Sequence, residues 1–338
     1  MDLATHNQNH RDNMGVAEQA SCLYIVYTSL PDSQTFLLTY SLSSITATLL
    51  KRLARRPLHP TALPEMPEYI PERDVTLIMP TIDFSSDLLV ALRSWLANKP
   101  KKIVLVTSSV YVEDLEALLA KADLSEEEDE KIELLATDKP NKRKQMVLGI
   151  PRNDPTATPI VVFADDDAYW SPTMLKHVLA GFHSSPNTGV VGTFYRARGL
   201  HDPSITSRYT AFQALAARRL AGRRSEIAAS YSLDGGITCI SGRTAAYRTC
   251  IVADPKFIDG FTNEKWLGTW PLNSGDDQFT SQWVIAHGWE MALQSAEEAE
   301  LETTVLEGCG FVRQWLRWQR GGQRSYLKRL CGSRQTYR

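Results

Sequence analysis

A short apolar run, Ile160-Val161-Val162-Phe163-Ala164, ends abruptly in three consecutive aspartates, Asp165-Asp166-Asp167. A run this rich in β-branched residues, bounded by turn formers, reads as a buried strand of a parallel sheet. Three acids at its carboxyl end then stand at the sheet edge where open α/β folds bind ligands. Packed so closely, they repel one another unless a cation shares them. Hard oxygen donors favour Mg²⁺ or Mn²⁺, ions that bridge carboxylates to phosphates. The same residues also fit a solvated turn ahead of a helix, since Ser171-Pro172 has the form of an N-cap followed by a first-turn proline.

The pattern on either side repeats this arrangement. Strands are expected at 75–79, 102–107, 132–136, 160–164 and 190–195, and helices at 88–96, 112–121, 142–148 and 172–182. Strands alternating with helices of this length imply βαβ units, an α/β fold and a mostly parallel sheet flanked by helices. The acidic stretch 126–130 reads as an exposed turn. Five prolines between residues 57 and 73 mark a linker. Farther on, residues 207–224 suggest an amphipathic helix, 235–242 a glycine-bracketed strand, 273–277 a turn opening a helix over 278–287, and 314–318 part of a basic helix. Neither GxGxxG nor a Walker sequence is present, so dinucleotide and P-loop readings lack support.

Composition excludes several classes. At 338 residues, 43% hydrophobic and 22% charged, the chain has the material of an ordinary globular protein. A net charge of −2 gives no global basic field for nucleic acid. Five cysteines without CxxC spacing argue against a disulfide framework or a zinc site and suit a reducing compartment. The seven histidines are scattered and pair nowhere as metal ligands. Residues 7–13 are polar where a secretory signal would turn apolar. The stretch 22–50 is apolar, broken at 31–34, and followed by Lys51-Arg52 and Arg55-Arg56. A basic flank of this kind is that of a membrane segment whose basic side faces the cytoplasm; a packed helical hairpin reads the same. The basic cluster Arg218-Arg219 with Arg223-Arg224 reads as a solvated or lipid-facing surface.

Three further features carry chemistry. Asp276-Asp277 sits at a helix start, where the macrodipole favours ionised carboxylates, as it would for an ordinary N-cap. Residues 235–242 form either a binding loop or a tight packed turn. Gln314, Arg317 and Trp318, spaced i, i+3 and i+4, place an amide, a planar cation and a stacking surface on one helical face.

Taken in order, these residues are similar to the motifs of the family 2 glycosyltransferases. The resemblance is to the membrane-bound processive branch of hyaluronan, chitin and cellulose synthases, with fungal polysaccharide synthases the nearest in pattern. It covers about residues 74–324. Asp165-Asp166-Asp167 stands for the DxD motif, Gly236 to Gly242 with Tyr247-Arg248 for the acceptor-side loop, Gly275-Asp276-Asp277 for the catalytic-base motif, and Gln314-Trp315-Leu316-Arg317-Trp318 for QxxRW. The resemblance implies a GT-A fold whose sheet binds a nucleotide-sugar, with an interfacial helical segment at the C-terminus. It divides the chain into an apolar, basic and Pro-rich segment (1–72), a catalytic domain (73–300) and a QxxRW helix with basic tail (301–338).

The implied reaction is inverting transfer of a hexose or N-acetylhexosamine from a UDP-sugar donor to a glycan acceptor. Asp165 and Asp167 would hold Mg²⁺ or Mn²⁺ against the diphosphate. Asp277 would be the base and Asp276 its support, an assignment that rests on the resemblance, since spacing does not show which aspartate acts. Asp83, Asp138, Lys142, Arg143 and Asp165 would contact the donor, and Gly236, Cys239, Ser241, Gly242, Gln314, Arg317 and Trp318 would line the donor and acceptor sites. Association with a membrane surface, catalytic domain toward the cytoplasm, rests on the stretch 22–50 alone, and the oligomeric state is left open.

Two departures qualify it. Gln278 stands where relatives carry Arg, and the transmembrane helices that flank processive catalytic domains are missing. Either a shortened form, transfer of a few sugars without translocation, or a catalytically impaired nucleotide-sugar-binding homologue would account for them. A metal phosphohydrolase would explain the carboxylates and leave Gln314, Arg317 and Trp318 without a role.

Overall fold

The computed structural model of the chain describes residues 58–152, 154–199, 210–234, 237, 239–306 and 310–331, all within a unit spanning residues 56–338. The stretch 22–50, on which the membrane reading rests, lies outside the described residues. Among the described residues no helix is long and apolar enough to cross a membrane.

Each short apolar run becomes a strand because alternate side chains enter hydrophobic layers on opposite faces of the sheet. Strands β1 (Val75–Pro80), β2 (Lys102–Ser108), β3 (Ile132–Thr137) and β4 (Ile160–Ala164) lie parallel, with β1 between β2 and β4. On one face Leu77, Met79, Ile103, Leu105, Ile160 and Val162 share a core with Trp95 of α1 (Ser86–Leu96), Leu115 of α2 (Val112–Leu119) and Phe182. On the other, Ile78, Val104, Val106, Val161 and Phe163 meet Met146 and Val147 of α3 (Lys142–Gly149). Helix α3 sits so close that a Cβ on Gly149 would come within 2.7 Å of the Ile78 side chain.

Beyond β4 the pattern folds back. A two-residue strand, β5 (Ala168–Tyr169), precedes α4 (Met174–His183), the helix that carries Phe182. Next come β6 (Thr188–Thr193), β7 (Tyr195–Ala197), the long helix α5 (Ala211–Asp234) and β8 (Thr244–Arg248). Strand β8 inserts antiparallel between β4 and β6. Helix α6 (Pro255–Thr262), a hairpin of β9 (Lys265–Trp266) and β10 (Trp270–Pro271), and α7 (Asp276–Ala286) lead to β11 (Glu290–Gln294). The main sheet has the order β11-β6-β8-β4-β1-β2-β3. A second sheet, β5-β12-β7, is centred on β12 (Leu301–Thr303), and α8 (Gly310–Cys331) ends the described chain. Residues on either side of the 300/301 boundary expected from the sequence are therefore joined through β12, which pairs with strands of the preceding segment.

Several elements differ from the sequence reading. Residues 126–130 contain a helical turn, Glu126–Asp129, because Ser125 and Glu128 cap each other reciprocally. The helix expected at 207–224 runs instead over Ala211–Asp234. The strand expected at 235–242 is not formed by Ile237 or residues 239–242; Ile237 and Ile240 are buried from a loop, and the strand begins at Thr244. The apolar pattern there reports burial without ladder pairing. The expected strand 190–195 divides between β6 and β7, which belong to different sheets.

This topology sets the site. Since β8 runs antiparallel to β4, its first residue pairs with the last of β4, Thr244 opposite Ala164. The Asp165 amide then donates to the Arg243 carbonyl at 2.9 Å, and the loop before β8 meets the aspartate triplet.

Candidate active site

Asp165, Asp166 and Asp167 leave β4 at the carboxyl edge of the sheet and line a cavity of about 630 Å³. Thr81, just past β1, donates its hydroxyl to Asp166 Oδ2 at 2.6 Å and accepts the Asp83 amide at 3.0 Å, which fixes Asp83 on the same rim. Thr303 of β12 donates to Asp167 Oδ2 at 2.8 Å and accepts from Arg243 Nε at 3.1 Å. The Arg243 guanidinium lies over the rings of Tyr195 and Trp318, at 4.8 and 5.2 Å from their centroids. Through that stack the C-terminal helix reaches the first acidic cluster.

The second cluster comes from the start of α7. Gly275 takes φ 75°, a left-handed turn that glycine adopts without a Cβ penalty. Asp276 and Asp277 follow in the first helical turn. Behind them Arg143, only 1% exposed, donates to the carbonyls of Phe261 (2.9 Å), Ser274 (2.9 Å) and Gly275 (3.3 Å). It also pairs with Glu264 at 2.7 Å and faces the rings of Phe261 and Phe279. The loop before β8 closes from the other side: Ile240 N–H donates to Ser281 Oγ at 2.9 Å. A Cβ on Gly242 would lie 3.3 Å from Asp276 Oδ2 and 3.4 Å from Asp277 Cβ.

Lys142 joins the two clusters. Its Nζ lies 2.7 Å from Asp165 Oδ1 and 3.0 Å from Asp276 Oδ2, so two acids 111 residues apart in sequence share one ammonium. These carboxylates strongly raise the Lys142 pKa against the opposing effect of burial. Burial, the largest single influence, would raise Asp276 too, but the Lys142 charge and hydrogen bond, with a backbone hydrogen bond and the Arg143 charge, together hold that carboxyl below its ordinary value. Asp277 goes the other way, up to about 6, through burial first and the charge of Asp276 second. Its carboxylate accepts the Gln278 amide at 2.8 Å and a hydrogen bond from the Cys239 thiol, whose own pKa burial and Asp277 push up. Asp166 is raised to about 6 and Asp167 is also raised, in both cases by burial before anything else, with repulsion from Asp165 adding to it.

Helix α8 supplies the remaining wall: Gln314, Trp315, Arg317 and Trp318 line the cavity. Gln278, also on the wall, presents its amide to that helix, donating to the Gly321 carbonyl at 2.8 Å and accepting from the Gly322 amide at 3.1 Å. Gln282 bonds Ser325, and Lys328 pairs with Glu264, which already holds Arg143.

The structure therefore brings Asp83, Lys142, Asp165, Asp167, Cys239, Ser241, Gly242, Asp276, Asp277, Gln314, Arg317 and Trp318 to one cavity. Two expected residues are placed elsewhere, and a third is not among the described residues. Arg143 corrects the sequence reading: it is packed behind the cavity and uses its guanidinium on the protein's own carbonyls and Glu264. Asp138 lies in an exposed turn past β3, outside the cavity lining. Gly236 lies outside the described residues. Tyr247 and Arg248 also point away, to Thr280 and to the Thr188 carbonyl with Tyr69. Sequence reasoning missed Arg243 and the wall formed by Tyr195, Arg219 and Arg223. The Arg243 position adjoins the loop motif and could have been flagged; the side of α5 that Arg219 and Arg223 would take had no sequence signal.

Among the described residues no group of three or more His, Cys, Asp or Glu side chains could hold a metal alone. Asp165 and Asp167 offer hard oxygens on one rim of an open cavity. Mg²⁺ characteristically takes one or two carboxylates and completes its shell with substrate phosphates and water. The residues fit an ion that arrives with a diphosphate.

Comparison with known proteins agrees with this geometry. A family model described as "Glycosyltransferase like family 2" matches residues 71–321. A "Type 2 glycosyltransferase" of Zymoseptoria tritici is 39% identical over 272 residues, 80% of this chain and 54% of that protein. The "NDP-glycosyltransferase ltbB" of Aspergillus luteorubrus is 30% identical over 273 residues, 80% of this chain and 65% of that protein. This chain belongs to glycosyltransferase-like family 2. It spans about half the length of the curated type 2 relatives it matches. Its fold is that of the mannosyltransferase PcManGT from Pyrobaculum calidifontis, solved in complex with GDP-Man and Mn²⁺. The two share a TM-score of 0.55 and 16% identity over 86% of this chain and 72% of that one.

Proposed function

We propose that the chain transfers a sugar from a nucleoside-diphosphate donor to an acceptor hydroxyl with inversion at the anomeric carbon. The observation that carries this reading is the convergence of two acidic clusters, from β4 and from α7, on one cavity around Lys142. Asp165 and Asp167 would hold the Mg²⁺ or Mn²⁺; when bound, that ion supplies charge neutralisation for the diphosphate leaving group. Lys142 stands beside the same position and is fully charged, so it can follow the diphosphate as negative charge grows there.

Asp277 acts as the base. A carboxylate with a pKa of about 6 is ionised at neutral pH and accepts a hydroxyl proton more readily than an ordinary aspartate. Asp276, held ionised by Lys142, keeps that proton affinity high through its charge. Arg317 offers a planar fork suited to phosphate oxygens, and Trp318 walls the cavity beneath Arg243.

The finer reading is a UDP-hexose or UDP-N-acetylhexosamine donor, a glycan acceptor and chemistry of the polysaccharide-synthase kind, with attachment to a membrane through residues 22–50. Its support is the motif order in the sequence. A panel of UDP-sugars with purified protein, reading UDP release with and without EDTA, tests it. One or more donors should be consumed in a metal-dependent way. Tight UDP binding with no release from any donor would favour a nucleotide-sugar-binding homologue, a reading to which Gln278 lends support because its neutral amide is engaged by α8.

A further inference from the structure

The arginine cluster of α5 is sorted sharply by the structure. Arg218 is exposed. Arg224 turns to Glu300 at 2.7 Å and lies over the Phe194 ring. Arg219 and Arg223, one helical turn apart, both line the cavity that contains Asp277. Glu226, one turn farther along α5, pairs with both, at 2.8 Å to Arg219 and 3.2 Å to Arg223. One carboxylate thus faces two guanidiniums on the wall of a substrate cavity.

Their position identifies the side of the cavity they serve. Arg223 bonds the Tyr195 hydroxyl, and its charge acts on the Cys239 thiol, the group that hydrogen-bonds Asp277. Arg223 is therefore one side chain removed from Asp277, and Arg219 lies one helical turn before it on the same cavity wall. The Asp165 cluster has a cation in Lys142, which Asp276 shares. What approaches Asp277 on the Arg223 side is the molecule that gives up a proton.

We infer that Arg219 and Arg223, with Tyr195, form an oxyanion subsite for the acceptor, which carries a carboxylate or phosphate group close to its reacting hydroxyl. The inference rests on the transfer reading above and names the acceptor class for the same site. Two guanidinium forks on a continuous helix suit either oxyanion, since each can donate two parallel hydrogen bonds to it. Among the described residues of α5 at this wall, two guanidiniums face the one carboxylate of Glu226, which favours such a ligand over a neutral sugar, and Glu226 keeps both side chains oriented before it arrives.

Calorimetric titration of the full chain with glucose, glucuronate and glucose 6-phosphate tests this, both in free protein and in protein loaded with UDP and Mn²⁺. Wild type should bind at least one of the two anionic sugars roughly tenfold or more tighter than glucose, the size of a charge-assisted pair. Preference for glucuronate or for glucose 6-phosphate identifies the oxyanion as carboxylate or phosphate. The Arg219→Gln/Arg223→Gln variant should lose that preference while its UDP affinity stays within about twofold of wild type. No preference in wild type, or a preference that survives the double substitution, overturns the subsite. A loss of UDP affinity in the variant would also overturn it, by assigning the arginines to the donor. Failure of wild type to bind UDP would count against the donor reading alone, because the free-protein titrations still decide the subsite. Far-UV circular dichroism of the variant reports whether it folds, and Arg219→Lys/Arg223→Lys, which keeps the charge, should retain part of the preference if the double Gln variant does not fold.

Discussion

Asp277, the proposed base, is the residue on which function and stability pull apart. Its folded pKa, about 6, stands above the ordinary aspartate value of 3.8, so folding favours the protonated form. The stability of that neutral form is fully present below pH about 4 and is lost as pH rises through 6. At pH 7 the ionised base therefore destabilises the fold. Asp277→Asn should raise the melting temperature at pH 7 by the equivalent of on the order of 2 kcal/mol, and the gain should shrink toward pH 4. Thermal melts of both proteins at the two pH values check this; an equal or lower melting temperature at pH 7 would show that the carboxylate is not strained. Sugar transfer should fall as pH drops below about 6, where the base protonates, and the pH profile of turnover reads that midpoint directly. At the first cluster, Asp167→Ala should weaken UDP binding in Mn²⁺ and leave metal-free UDP binding nearly unchanged. Equal losses with and without EDTA would place Asp167 outside metal binding.

Among the elements, α3 does two tasks with adjacent residues. Lys142 turns into the cavity and Arg143 turns behind it, where it anchors the carbonyls that precede Asp276. Arg143→Lys keeps a charge but loses the fork that spans Phe261, Ser274 and Glu264. It should lower turnover while leaving the affinity for UDP within about twofold, since the clamp acts through the Asp277 turn. A large rise in the UDP dissociation constant with turnover intact would restore the donor contact expected from sequence. Packing of the same helix is tested at Gly149: the Cβ of Gly149→Ala would meet Ile78 at 2.7 Å. Overpacking of this kind costs about 1–3 kcal/mol, measurable as a shift in urea midpoint. At the other end of the site, Gln278 and Gln282 hold α8 against α7 and Glu264, just before β9, pairs with its Lys328, so the QxxRW helix is positioned by residues far from its own motif.

Across the whole molecule, the sheet was readable because buried parallel strands appear as uninterrupted apolar runs, as at Ile160–Ala164. The two acidic clusters were readable because carboxylates gather at an element's end, where a sheet edge or helix dipole gives them a physical reason to be. Less was legible where an outcome depends on contacts distant in sequence. Arg143 looks like its neighbours Lys142 and Lys144, and only the arrival of Phe261 and Ser274, more than a hundred residues on, buries it. Arg219 and Arg223 were indistinguishable from Arg218 and Arg224 until α5 took its place beside the cavity. Ile237 and residues 239–242 read as part of a strand because buried loop and buried strand share an apolar pattern, and only pairing separates them.

The proposed function gives donor binding to one acidic cluster and proton removal to the other, and both clusters line a single cavity. Asp277→Asn separates those tasks in one sample. With a UDP-sugar that wild type consumes, UDP release by the variant should fall by about a hundredfold or more, the scale of a lost general base. Calorimetry on the same preparation should give a UDP dissociation constant in Mn²⁺ within about twofold of wild type. Turnover at the wild-type rate, or turnover and UDP affinity lost together, would contradict it.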